Sequence, residues 1–289
     1  KIVIMEISPV TDLNHFPDTT LYDAFQSAFA EYDVKIDTEQ LIKMLKRRGF
    51  CKELSFGISH GDMIVSFIFN GIGSYNGVKT AYDSGTGTLK EYRGKGLSKQ
   101  IFTESLPTLQ QNGIERYLLE VLQHNSAAVN LYKSSGFEIS REFNCYLCDD
   151  LSKLTIKQIN HDFLITDIDF RDIEEFVSHF DFNPSWQNSS ESIKRAIHEF
   201  KFKQCSINGG AAGFIAFEPE SGDIAQLAVK REFRRQGVAS MLLQSAVQEI
   251  TCGKIKIINV ECGCTSMEEF CVRSGVPHVC KQYEMILDL

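Results

Sequence analysis

Apolar residues at helical spacing open the chain. Leu21, Phe25 and Phe29 recur every fourth position behind Pro17, which suits a first helical turn, and predict a helix over 17–32. Leu41, Met44 and Leu45 mark one face of a second helix, over 38–48, with Thr38 as its N-cap. The pattern then changes to that of strands. Runs at 54–59 and 63–70 flank His60-Gly61-Asp62, a hairpin signal. A glycine-rich loop is expected over 71–77. A longer strand follows over 78–90, in which Gly85 and Gly87 point to a bulge or a close backbone approach. Next come a helix over 97–112 ended by Gly113, a strand over 116–122, a helix over 126–135 closed by Gly136, and a strand over 137–147.

The second half repeats this plan. Strands at 203–207 and 211–217 flank Asn208-Gly209-Gly210, and further strands are expected at 223–230, 254–260 and 281–287. Helices are expected over 235–250 and 267–273, the latter closed by Gly275. Arg93, Gly96 and Gly136 have counterparts about 140 positions later in Arg234, Gly237 and Gly275, which reads as a tandem duplication. The polar stretch Asp149-Asp150-Leu151-Ser152-Lys153 is the expected boundary, giving domains 1–150 and 151–289.

A length of 289 residues suits two domains, and no apolar run is long enough to span a bilayer. No leader pattern opens the sequence, so a cytoplasmic protein without membrane partners is expected. The net charge of -8 argues against nucleic acid as a partner and is compatible with a cationic amine. Nine cysteines, an odd number, lack the paired spacing of a zinc site. Cys145-Tyr146-Leu147-Cys148 sits in a strand-like run that would put its sulfurs on opposite sides, so reduced thiols and no metal are expected.

Candidate chemistry starts at Arg93-Gly94-Lys95-Gly96-Leu97-Ser98. A strand ends, a glycine-rich turn follows and a helix begins. The first N–H groups of a helix have no intrahelical partner and sit at the positive end of its dipole, so a pyrophosphate fits there. Gly94 and Gly96 let backbone approach the phosphates, and Arg93 and Lys95 add cationic donors. A plain glycine helix cap is the bland alternative. A Walker loop is excluded, because Leu89 stands where its first glycine is required and Gly96 replaces its Ser/Thr.

The turn resembles the Arg/Gln-x-x-Gly-x-Gly/Ala loop of the GCN5-related N-acetyltransferase (GNAT) superfamily, with Ser98 as a small departure at the last position. Arg234-x-x-Gly237-x-Ala239 fits it fully, and 125–137 (NSAAVNLYKSSGF) is similar to the superfamily's next motif. The resemblance covers nearly the whole chain as two copies. It implies an α/β (α+β) protein of two tandem acyl-CoA N-acyltransferase folds, each a mixed, mostly antiparallel sheet flanked by helices. It also implies acetyl-CoA as co-substrate, held by Thr86, Gly87, Thr88, Arg93, Gly94, Lys95, Gly96, Leu97, Ser98, Asn125 and Ala128.

The stretch around Glu120, with Asn125 and Tyr132, is similar to the ribosomal-protein N-terminal acetyltransferases and implies Glu120 as base and Tyr132 as acid. An ammonium must lose a proton before it attacks, a departing thiolate must gain one, and the oxyanion needs donors such as bulged backbone near 86–88. Other readings stay open. Glu120 could be a salt-bridge partner, Tyr132 could be packing and Asn125 a helix cap. His124 could serve as the base, and Tyr82 and Asp83 could face the amine pocket.

In the second copy Asn259 falls opposite Glu120, Cys264 opposite Asn125 and Cys271 opposite Tyr132; a two-residue slip would bring Glu261 opposite Glu120. Arg234, Arg235, Gln236, Gly237 and Ala239 form a possible second coenzyme site, in a domain expected to bind weakly or not at all and to act as a scaffold. The expected function is acetyl transfer from acetyl-CoA to a primary amine of a small molecule or peptide, by direct attack, in a monomer or homodimer. The rivals are a non-catalytic acyl-CoA sensor or interaction protein, and an enzyme using a longer acyl group.

Overall fold

A computed structural model describes residues 7–31, 36–156 and 163–289. They form two compact units. The first holds residues up to Val121, Asn125–Ser140 and Glu284–Leu289, and the second Leu122–His124 and Arg141–Tyr283.

In the first unit a short strand β1 (Thr11–Asp12) precedes helix α1 (Asp18–Ala28), which buries Leu21, Ala24, Phe25 and Ala28. The helix closes at Phe29 rather than continuing to 32, and Tyr32 lies outside the described residues. Helix α2 (Thr38–Arg48) is capped one residue earlier than expected. Asp37 accepts from Gln40 N at 2.8 Å while the Gln40 side chain accepts from Asp37 N at 3.1 Å, a reciprocal box in which Thr38 is merely the first helical residue.

Strands β2 (Phe56–His60), β3 (Met63–Tyr75) and β4 (Val78–Thr88) form an antiparallel meander. The expected 71–77 loop is mostly strand, because the reversal is made by Asn76 (φ 53°) and Gly77 (φ 79°) alone. Gly71 is there for a close approach, since a Cβ would lie 2.0 Å from Arg48 O at the end of α2. Against β3, Phe69 pairs with Gly85 and Asn70 with Asp83, which leaves Ser84 as the extra residue of a bulge. Helix α3 (Leu97–Gln111), strand β5 (Arg116–Leu122), helix α4 (Ser126–Ser134) and strand β6 (Glu138–Cys148) follow.

The second unit adds β7 (Phe163–Asp167), a 3₁₀ stretch over Phe170–His179 and a short helix α5 (Ser190–Arg195). Then come β8 (Lys201–Ile207), β9 (Gly210–Glu218), β10 (Asp223–Val229), α6 (Val238–Val247), β11 (Ile255–Glu261), α7 (Thr265–Arg273) and β12 (His278–Asp288). The β8–β9 reversal, Asn208 (φ 49°) and Gly209 (φ 77°), copies that of β3–β4.

Each unit carries one parallel pair, β4 with β5 and β10 with β11, in an otherwise antiparallel ladder. These units do not divide at 150, because β6 and β12 are each split between them. The end of β12 lies in the first unit beside β5, where Arg116 Nε donates to Asp288 Oδ1 at 2.8 Å and Leu289 N to Glu115 O at 2.9 Å. Most of β6 lies in the second, pairing β11 from Cys148↔Ile255 to Phe143↔Glu261.

The cores follow the strand alternation. In the first unit Phe67, Ile101, Phe102, Tyr117 and Leu118 are almost fully enclosed. In the second, Ile215, Phe217, Leu242, Leu243 and Ile257 fill one cluster and Ile173, Phe176, Phe202 and Phe214 another. Each such side chain contributes about 1.5–3 kcal/mol.

Candidate active site

The turn before α3 is built by backbone conformation. Gly94 and Gly96 have φ of 75° and 76°, and a Cβ on either would meet nothing within 4 Å. Glycine is needed here for the left-handed angle, and the space beyond it is open. The ladder of α3 begins with Gln100 N on Gly96 O at 3.0 Å, so the three preceding N–H groups have no partner within the helix.

Arg93 does not offer its guanidinium to that space. Its Nε donates to Thr88 O at 3.1 Å, its Nη2 to Ala28 O at 2.9 Å, and its Nη1 pairs with Glu31 at 3.0 Å. It staples the turn to β4 and α1. Lys95 Nζ stands 4.8 Å from the Tyr92 ring centroid. Ser98, the departure from the motif, has a structural reason: its hydroxyl lies 2.9 Å from Thr88 Oγ1, which in turn lies 2.8 Å from Ser66 Oγ. Gly87 is small because of the core, where a Cβ would meet Phe67 at 2.5 Å and Ala28 at 2.9 Å.

The parallel strands β4 and β5 stay paired for Thr80↔Arg116, Ala81↔Tyr117 and Tyr82↔Leu118 only. Asp83 on β4 and Glu120 on β5 stand just past that last pair, and Tyr132 approaches from α4. The Tyr132 hydroxyl donates to Asp83 Oδ2 at 3.0 Å. Thr86 Oγ1 donates to the same oxygen at 2.7 Å and Gly85 N to Oδ1 at 2.9 Å. Burial pushes the Asp83 carboxyl up from its ordinary range, against these three donors and the Arg48 cation. The Tyr82 hydroxyl bonds to Glu120; burial first, and the nearby carboxylates with it, push this phenol well up despite Arg48. Arg48 reaches in from α2, donating to Ser84 O at 2.9 Å.

The structure thus gathers Tyr132, Asp83 and Thr86 in one cluster and Glu120 with Tyr82 in another. Asn125 caps α4 by accepting from Ala128 N at 3.2 Å, which occupies the Ala128 N–H as well. His124 is exposed. Arg48 and the bonding of Asp83 are what the sequence reading missed. The one signal for Asp83 was its place at the start of a glycine-marked bulge.

The second copy repeats the staple atom for atom. Arg234 Nε donates to Val229 O at 3.1 Å, Nη2 to His179 O at 3.1 Å, and Nη1 pairs with Asp181 at 2.8 Å. Gly237 has φ 98°, and Arg235 takes the place of Gly94 with φ 62°, its guanidinium 3.1 Å from Glu269. A groove of about 650 Å³ runs along Arg234, Arg235, Gln236, Gly237 and Ala239, walled by Phe233, Met267 and Phe270.

Past the single parallel pair Asp223↔Lys256, however, a small cavity between β10 and β11 is lined in part by the neutral amides Asn188 and Gln226. Gln226 Nε2 donates to Asn188 O at 2.8 Å, Asn188 Nδ2 to Ile258 O at 3.0 Å, and Asn259 Nδ2 to Ser185 Oγ at 2.9 Å. Cys271, at the position of Tyr132, is fully enclosed, and burial pushes its thiol up to about 12. Cys264 heads α7 without a side-chain cap. All nine cysteines are free, and among the described residues no group of three or more His, Cys, Asp or Glu is arranged to hold a metal. No helix among them is long and apolar enough to cross a membrane.

Residues 19–137 match the model of the acetyltransferase (GNAT) family, and residues 202–270 that of an acetyltransferase (GNAT) domain. N-alpha-acetyltransferase 30 of Saccharomyces cerevisiae is 37% identical over 57 residues, 19% of this chain and 32% of the relative, so the match spans about a third of that protein. Among solved structures, the tandem GNAT protein from the clavulanic acid biosynthesis pathway is 12% identical with a TM-score of 0.71 and 98% of each chain covered. A putative acetyltransferase from Pyrococcus horikoshii is 15% identical with a TM-score of 0.67, over 100% of this chain and 92% of its own. At such identities these structures bear on the fold.

Proposed function

The chain belongs to the GNAT acetyltransferase family as a tandem member, and on that premise we propose that its first unit transfers acetyl from acetyl-CoA to a primary amine by direct attack. The observation that carries this reading is the Tyr132–Asp83 bond where β4 and β5 part, with Glu120 on β5 bonded to the neighbouring Tyr82 and an open glycine turn at the start of α3. The turn and the first N–H groups of α3 would take the pyrophosphate. With the amine bound beside the thioester, Glu120 would relieve the ammonium of its proton, directly or through water. Tyr132 would protonate the departing sulfur. Backbone N–H groups of the bulged strand near Thr86 would face the oxyanion.

The second unit keeps a turn and groove of the same design, lined by Arg234, Arg235, Gln236, Gly237 and Ala239. With amides and a buried thiol in place of the carboxylates and phenol, it would at most hold a coenzyme without turning it over. The resemblance to N-alpha-acetyltransferase 30 favours peptide N-termini over small amines as acceptors.

The test is release of free coenzyme A from acetyl-CoA in the presence of an amine panel of short peptides and small polyamines, with acetylated product identified by mass spectrometry. Amine-dependent release with one acetyl per acceptor supports the reading. Tight coenzyme binding without turnover on the whole panel would instead favour a sensor.

A further inference from the structure

The bond between Tyr132 and Asp83 creates a chemical problem for a tyrosine acid. A phenol whose proton points at a carboxylate is not pointing it at a thiolate. Asp83 is also an unusual place for a charge. It is 8% exposed, one residue past the last β4–β5 pair and at the start of the bulge. The groups around it are Arg48 from α2, Tyr117 from β5, Tyr132 from α4 and its own neighbour Tyr82, which bears Glu120. Asn70, across on β3, is neutral and accepts from Tyr117.

We propose that Asp83 is a positioning residue for Tyr132 that also stores the proton Tyr132 delivers, so that the two act as a relay to the leaving sulfur. The proposal rests on the acetyl-transfer reading above. In the proton-loaded state Asp83 is a neutral carboxylic acid, its O–H donating to the Tyr132 oxygen, and the Tyr132 O–H turns toward the sulfur. When the tetrahedral intermediate collapses, the C–S bond breaks and its electron pair leaves on sulfur. The S–H bond forms with the Tyr132 proton, and the Tyr132 O–H bond re-forms with the proton of Asp83. Asp83 is left as a carboxylate.

The structure shows what receives that carboxylate: the Tyr132 O–H and Thr86 O–H on one oxygen and the Gly85 N–H on the other. Three donors aimed at the product of the relay favour proton release at the moment it is needed, while burial favours holding the proton beforehand. The proton shed by the attacking nitrogen, passed through solvent, restores the acid, so each turnover is balanced. The second unit is consistent with this pairing, since Ile224 and Cys271 occupy the places of Asp83 and Tyr132 and neither partner survives without the other.

The test combines Asp83→Asn, Tyr132→Phe and the double variant in the full chain. Asp83→Asn should lower kcat about 100-fold and leave the acetyl-CoA Kd within about twofold. The double variant should lose no more than the worse single one, because both remove one relay. Multiplying losses, or an unchanged kcat in Asp83→Asn, would overturn the proposal.

Difference infrared spectra of wild type minus Asp83→Asn give a readout that needs no turnover. A protonated carboxyl should be present above the usual aspartate range and should convert to carboxylate as pH rises. Thr86→Val, which removes one donor to the carboxylate, should shift that conversion to higher pH and covers the case in which Asp83→Asn does not fold. A carboxylate at every pH in both proteins overturns the relay. Absence of acetyl transfer by wild type on every amine, with the protonated carboxyl still seen, would instead overturn the acetyl-transfer reading and the relay's catalytic role with it.

Discussion

The two units solve the same backbone problem alike and differ in the side chains that follow their parallel strand pairs. In each, an arginine before the turn binds the carbonyl five residues back, a carbonyl at the end of the preceding helical segment, and a nearby acid. In each, one parallel strand pair breaks off after a short register. What fills the opening separates them. The first unit places Asp83, Tyr132 and Glu120 there; the second places Gln226, Asn188, Asn259 and Ser185 in a network of neutral hydrogen bonds. A buried carboxyl can take up or release a proton, whereas an amide that donates to neighbouring carbonyls and hydroxyls cannot; Asp223, a buried carboxyl of the second unit, stands at the parallel pair and not past it. The motif arginine is therefore a property of the fold, while the proposed proton handling would reside in a few positions past the last paired residues.

The largest break in this comparison should come from the side chain that has no counterpart. Tyr132→Phe keeps the ring packed against Phe102 and Phe137, whose centroids lie 5.6 and 5.8 Å away, and removes only the hydroxyl. Steady-state kinetics should show kcat down about 100-fold or more with coenzyme affinity nearly unchanged. Cys271→Ser, at the matching place, should leave turnover alone and register only as a loss of stability. If turnover responds equally to both substitutions, the division of labour between the units is wrong.

Next in size is coenzyme affinity. Gly96→Leu forces a left-handed angle of 76° on a branched residue and fills space that is open. Titration calorimetry should show the tight acetyl-CoA site weakened by tenfold or more, equivalent to at least about 1.4 kcal/mol. Gly237→Leu should leave that tight site in place. Loss of the same tight site in both variants would show that the two turns serve one coenzyme, or two equal ones, and would erase the asymmetry.

How much of this was legible beforehand depends on whether a feature is local. The turn, with its positive-φ glycines, and the hairpins are written in short stretches, and Gly96 and Gly237 announce themselves. The duplication is visible because Arg93 and Arg234 keep their distance from the helices that follow. The fate of β6 and β12 is not local. Neither strand shows a clean alternation, and which strands each joins is decided by tertiary pairing. The same holds for the motif arginines: Arg93 looks like a phosphate ligand in sequence because its true acceptors, Ala28 O and Glu31, lie 65 and 62 positions away. Asp83 was legible as a carboxylate near a bulge. Its bond to Tyr132, 49 positions on, was not. The stretch that fills the second opening, around Ser185 and Asn188, carries no motif at all.

The staple itself offers a third, smaller test, one of sameness. Arg93→Ala and Arg234→Ala each remove two bonds to backbone carbonyls. Their side chains are 41% and 32% exposed, so solvent screening discounts those bonds to about 1–2 kcal/mol in each case. Chemical denaturation should show similar losses for both, with coenzyme affinity falling in Arg93→Ala only as far as the turn loosens. A loss of affinity far beyond the loss of stability would mean that Arg93 meets phosphate after all.

The smallest effect concerns the one position where the turns differ in backbone chemistry. Gly94 and Arg235 hold nearly the same angle, 75° and 62°, but only glycine does so without strain. Arg235→Gly removes that strain, about 1–2 kcal/mol, and gives part of it back through the freer unfolded chain. Its ion pair with Glu269 joins side chains 72% and 56% exposed and adds little. The net should be a gain of about 0.5–1 kcal/mol, read as a melting temperature about 1–3 °C higher. Gly94→Arg should shift the first unit the other way by a similar amount. If Arg235→Gly instead destabilises, the arginine is held by something stronger than Glu269, and the second turn has been reshaped for an anion rather than merely left behind.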